Sequence, residues 1–112
     1  MAEAPQIELL YWEECPSWER ALGELREEME ALGLDPADVR VREVDSDEDA
    51  VRESFMGSPT IRVDGGDVDP PGPGEPFGLA CRVYRRPDGR VSPLPDREDV
   101  RAALRKTTEE GS

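Results

Sequence analysis

Ile7, Leu9 and Tyr11 alternate with Glu8, Leu10 and Trp12 in a run bounded by Pro5 and by the acidic pair Glu13 and Glu14. The period of two predicts a strand, and the apolar Leu10 and Trp12 on its second face predict cover on both sides. The period then changes. Trp18, Ala21, Leu22, Leu25, Met29 and Leu32 recur every three or four residues, as one face of a long helix does. Pro16 suits the first helical position, where its missing N–H costs nothing, and Gly33 suits a left-handed stop. Residues 39–44 predict a second strand. Residues 45–49 crowd acid at the start of a short helix through Ala50, Val51 and Phe55 that Gly57 closes, with Ser46 and Asp49 spaced as in a capping box. After Ser58 and Pro59, residues 60–63 read as a third strand ending at Asp64, Gly65 and Gly66.

Residues 64–78 hold four prolines and five glycines and therefore predict a long loop, longer than compact domains commonly carry. Residues 79–85 read as a fourth strand, with Leu79, Cys81 and Val83 on one face and Ala80, Arg82 and Tyr84 on the other. Pro87, Asp88, Gly89 and Arg90 spell a turn, and Asp96 caps a last helix carrying Val100, Ala103 and Leu104. The polar tail, residues 106–112, is expected to fray.

The order is β-α-β-α-β-β-α, an α/β fold with a mixed four-stranded sheet and helices on both faces. With 112 residues there is room for one domain, residues 1–112, with its core in residues 6–105. A crossover through the long helix is expected to be right-handed and to make the first two strands parallel. The last two can pair antiparallel.

Charge removes several classes of function. The formal net charge of −13 leaves no positive excess to displace phosphate counterions, so nucleic acid is not an expected partner. The absence of histidine excludes Ser-His-Asp and Cys-His nucleophile systems and histidine-ligated metals. No apolar run is long enough to span a bilayer, and residues 1–5 lack the pattern of a secretory leader, so the expected location is cytoplasmic and no membrane partner is expected. The sequence implies no cofactor. Two cysteines, Cys15 and Cys81, are too few for a disulfide scaffold or paired zinc knuckles, which leaves redox chemistry, soft-metal chemistry or packing.

Cys15 followed by Pro16 at the start of a helix, with Ser58, Pro59 and Thr60 opening a later strand, resembles the thioredoxin-like superfamily. The Cys-Pro-x-Trp motif of residues 15–18, Gly57 to Thr60, and residues 78–84 together look like small bacterial thioredoxin-like or alkylmercury-lyase-like proteins. The resemblance implies a thioredoxin-like fold over most of the chain, a cysteine at the end of the first strand and a cis-proline before the third. It points to Cys15, Pro16, Pro59 and Cys81 as site residues. One departure matters: Trp18 stands where the redox motif has its second cysteine, so a dithiol cycle inside that motif is impossible.

A cysteine at a helix N-terminus lies near unpaired N–H groups that favour the thiolate, while Glu13 and Glu14 oppose a further negative charge. Cys15 is thus either a monothiol for thiol–disulfide exchange, with glutathione, another protein or Cys81 resolving, or a small residue of an inactive module. Cys81 is a resolving thiol, the second arm of a two-thiolate clamp for Hg(II) or another soft metal, or a buried small hydrophobe. If the fourth strand begins at the far end of the sheet, geometry opposes the pairing unless the loop folds back. Trp12 and Trp18 either wall a pocket beside the sulfur or belong to the core. Glu24, Glu27, Glu28 and Glu30 are expected to form a solvated helix face.

Overall fold

The computed structural model describes residues 6–69, 78–79, 84–85, 88–92 and 94–110. In chain order these form strand β1 (Ile7–Tyr11), helix α1 (Trp18–Ala31), β2 (Val39–Glu43), α2 (Asp47–Arg52), β3 (Thr60–Val63), β4 (Gly66–Asp67), β5 (Tyr84–Arg85), β6 (Val91–Ser92) and α3 (Arg97–Glu110). A mixed four-stranded sheet has the order β2-β1-β3-β4. Strand β1 runs parallel to β2, with Leu9 opposite Val41, and antiparallel to β3, with Leu9 opposite Ile61. β1 is therefore central, which is why it buries Leu10 on one face as well as Ile7 and Leu9 on the other.

Alternation along β1 feeds two cores. Ile7 and Leu9 join Ile61, Val63 and the α1 residues Ala21, Leu25 and Met29, with Val100 and Leu104 of α3 closing the layer. Leu10 faces the other way, into a smaller cluster with Val44, Ala50 and Phe55 beside α2. Helices thus cover both faces. The predicted helix face is the observed one, with one exception. Glu28, expected in solvent, is only 3% exposed. Its carboxylate accepts from Arg101 at 2.9 and 3.2 Å and from Arg97 at 3.4 Å, so the charge is buried only because α3 supplies two guanidinium groups.

The helix ends follow their sequence signals closely, though not always at the expected residue. Gly33 takes the left-handed conformation after α1, with Leu34 N–H donating back to Met29 O at 2.8 Å. α2 closes earlier than Gly57. Ser54 adopts φ 53°, and the N–H groups of Ser54 and Phe55 return to the carbonyls of Val51 and Ala50, which frees Phe55 to turn into the core. Arg62 of β3 also donates to the carbonyls of Glu53 and Ser54, placing a cation at the negative end of α2. Ser46 caps α2 by accepting from Asp49 N–H at 3.1 Å. Asp96 accepts from Glu98 N–H at 2.9 Å at the start of α3.

Three further expectations are corrected. Pro16 is not the first helical residue, because α1 begins at Trp18 with Ser17 as its N-cap. Among the described residues, the fourth strand of the main sheet does not come from the stretch predicted for it. It is β4, which returns from β3 through Asp64 and Gly65, both at positive φ. An Asp-Gly pair suits a two-residue hairpin turn, and it lies inside the segment predicted as loop. Tyr84 and Arg85 instead pair with Ser92 and Val91 in a separate two-stranded sheet, while Cys81 lies outside the described residues. The last helix is longer than expected: α3 continues past Lys106 to Glu110, with neither glycine nor proline before Gly111.

Candidate functional site

The chain leaves the central strand through Trp12 and turns at once. Cys15 N–H donates to Trp12 O at 2.9 Å, closing a turn over Glu13 and Glu14 that places Cys15 beyond the end of the sheet. Cys15 precedes the N-cap by two residues, so it stands ahead of α1 and not on its first turn. Its Sγ donates to the carbonyl of Ser58 at 3.4 Å, across 43 residues of sequence. The Ser58-Pro59 peptide bond is cis. The sequence-predicted Cys15 and Pro59 are therefore brought together, with Pro16 next to the cysteine in the chain.

The sulfur is only 2% exposed. It belongs to neither apolar cluster and sits instead between the turn of residues 12–17 and the loop before β3. That loop is tied by side chains at three successive carbonyls. Thr60 Oγ1 donates to Gly57 O at 2.7 Å, Cys15 Sγ to Ser58 O, and the Tyr84 hydroxyl to Pro59 O. Ser58 is fully buried, and its hydroxyl is the one buried side-chain polar atom without a partner among the described residues.

Trp12 and Trp18 do not form one wall. Trp12 packs on the cluster beside α2, whereas Trp18 stacks on Tyr11 with ring centroids 4.0 Å apart and packs on the larger core. The alternation of β1 sends Tyr11 and Trp12 to opposite faces. Near the turn, the Glu43 carboxyl is held above the usual carboxylate range, chiefly by withdrawal from water and then by the charges of Glu13 and Asp45 and a hydrogen bond with Glu13. A polar cleft of about 150 Å³ between β2 and α2, lined by Arg42, Glu43, Asp49, Arg52 and Glu53, contains neither Cys15 nor Pro59. Arg42 there is neutralised by Glu8 at 3.0 Å and Glu53 at 2.8 Å.

Cys81 lies outside the described residues, and the contacts nearest to it along the chain are those of Gly78, Leu79 and Tyr84. Gly78 N–H donates to Phe55 O at 3.0 Å, Leu79 packs on the Phe55 cluster, and Tyr84 reaches Pro59. Both flanks are held at the end of the sheet that carries Cys15. Among the described residues no group of three or more histidine, cysteine or carboxylate side chains is arranged to hold a metal, and no helix is long and apolar enough to cross a membrane. Sequence reasoning singled out Cys15 and Pro59 as site residues, while Ser58 and Tyr84 entered only as parts of the motifs, with no role of their own. A serine before a proline and a tyrosine in a strand carry no local signal of their tertiary partners. No protein-family model and no curated protein matches the chain.

Proposed function

We propose that this chain is a thioredoxin-like thiol protein acting in thiol–disulfide exchange through Cys15, in the cytoplasm. The observation that carries the reading is the contact between the Cys15 thiol and the carbonyl of Ser58, immediately before cis-Pro59. In this arrangement the thiol waits in a closed state, donating its proton to backbone. Exchange requires the turn of residues 12–17 to open, after which the deprotonated sulfur attacks one sulfur of a disulfide and expels the other as a thiolate. The mixed disulfide is resolved by an incoming thiol, from glutathione, a protein partner or Cys81. The anchoring of Gly78, Leu79 and Tyr84 supports Cys81 as a candidate for that role, and equally as the second arm of a soft-metal clamp.

A second reading, a non-catalytic module that keeps only the fold, is favoured by the 2% exposure of Cys15. The two separate in one experiment. Reduced wild-type chain and Cys15→Ser are incubated with oxidised glutathione, and the mixed disulfide is followed by intact mass. Exchange through Cys15 predicts an adduct, or an internal disulfide that follows it, in wild type and at least a tenfold slower reaction in Cys15→Ser. Equal rates would remove the exchange reading and leave the inert module.

A further inference from the structure

Ser58 O and Pro59 O belong to consecutive peptide planes, and the only torsions between them are φ and ψ of Pro59. The proline ring fixes φ. Whatever holds the Pro59 carbonyl therefore leaves a single soft torsion, ψ, through which the Ser58 carbonyl can move. The group that holds it is the hydroxyl of Tyr84, itself 1% exposed, from a strand 25 residues further along the chain.

We infer that Tyr84 is the positioning residue of the Cys15 site: by holding the Pro59 carbonyl it fixes the Ser58 carbonyl on which the Cys15 thiol rests, and so sets how readily that thiol is released. The inference rests on the reading of Cys15 as the working thiol. Two features single out Tyr84. The first is the place of its bond, on the carbonyl adjacent to the one that accepts from Cys15, whereas Thr60 ties the carbonyl on the other side. The second is that the hydroxyl of Ser58 itself offers no substitute among the described residues. The Ser58 hydroxyl is fully buried yet bonds to nothing among the described residues, so it does not take over the fixing of this turn. The tether comes from outside the loop, from β5, whose other end leads back toward Cys81 in the sequence. A partner or modification that moves β5 would therefore act on the thiol without touching it.

The test uses the full-length chain carrying Cys81→Ser, so that Cys15 alone reports. Two readouts are followed: the rate at which Cys15 displaces pyridine-2-thiolate from the neutral probe 2,2′-dithiodipyridine, and the infrared S–H stretch of Cys15, whose frequency reports its hydrogen bond. Tyr84→Phe removes one hydroxyl and leaves the ring in place. It is expected to raise the rate about tenfold, the scale of one buried hydrogen bond, and to move the S–H band toward that of a free thiol. Val100→Ala, in α3, is the control, because it removes buried volume from the larger core, a cluster that includes neither Cys15 nor residues 57–59. It is expected to leave the band in place.

An unmoved band in Tyr84→Phe, or an equal shift in Val100→Ala, would overturn the inference. Should Tyr84→Phe fail to fold, 3,5-difluorotyrosine at position 84 keeps the ring and ionises at lower pH. The band and the rate are then expected to change together as that phenol loses its proton, and invariance through that titration would be fatal. These outcomes are separable from the glutathione experiment. A wild-type chain that exchanges no disulfide removes the exchange reading, while the response of the S–H band to Tyr84→Phe judges the positioning role.

Discussion

Where α1 meets α3, a buried carboxylate, Glu28, is met by two arginines; in the loop between α2 and β3, a buried hydroxyl, Ser58, is met by nothing among the described residues. The first region is a finished interface. Ala21, Ile61 and Val100, from three elements, line the same small cleft as Glu28, and its guanidinium partners reach solvent at their outer edges. The second packs a thiol, a cis-proline and a tyrosine hydroxyl around backbone carbonyls and leaves one polar atom unsatisfied. Burial alone does not make the two groups alike. Completeness of their partners separates them, because an unmet buried hydroxyl costs stability that packing elsewhere has to offset.

The contrast can be broken by substituting one polar atom in each region. The largest effect is expected at Glu28→Gln. The amide keeps the volume but loses the charge-assisted bonds to Arg101 and Arg97, at a cost of about 2 kcal/mol in denaturant unfolding, below the full cost of breaking a buried pair because both arginines are partly solvated. A loss under about 0.5 kcal/mol would show that the interface is indifferent to this charge.

Ser58→Ala is expected to go the other way. Removing a hydroxyl that has no partner among the described residues from a fully buried position should stabilise the chain by about 1 kcal/mol. Destabilisation by a similar amount would mean that the hydroxyl has a partner in the folded chain, and the two regions would no longer differ.

The smallest effect belongs to the acidic surroundings of the turn. The Glu43 carboxyl is raised in the folded state by withdrawal from water and by Glu13 and Asp45, so the folded chain holds its proton to higher pH than the unfolded chain does. That contribution is fully present below the ordinary value of 4.5 and is lost as pH rises through the raised value. Asp99 has the same sign, from withdrawal from water and then from Asp96, Asp69 and Glu98. Glu43→Gln is therefore expected to have a slightly higher thermal midpoint than wild type at pH 7, with the gap closing at pH 4. A gap that widens on acidification would reverse the assignment.

Elements whose signal lies within a few residues were legible from the sequence. The helical stripe from Trp18 to Leu32, the stop at Gly33, the cap at Ser46 and the two-faced β1 all follow from spacing and from local backbone chemistry. Cys15 and Pro59 were legible as a pair only through their resemblance to a known pattern. The sheet was misjudged where its strands are shortest: an Asp-Gly hairpin into β4 was read as part of a loop, because two residues of strand are too few to show a period.

By itself, then, the sequence determined which residues are apolar on which side of each element, and, to within a few residues, where helices start and stop, since those are properties of neighbours along the chain. Only tertiary structure decided that Glu28 is buried against α3, that the Cys15 thiol is closed onto Ser58, and that Tyr84 holds the next carbonyl. Those contacts join residues tens of positions apart. They form only once the sheet and its helices have brought the loops together, and no periodicity in the chain encodes them.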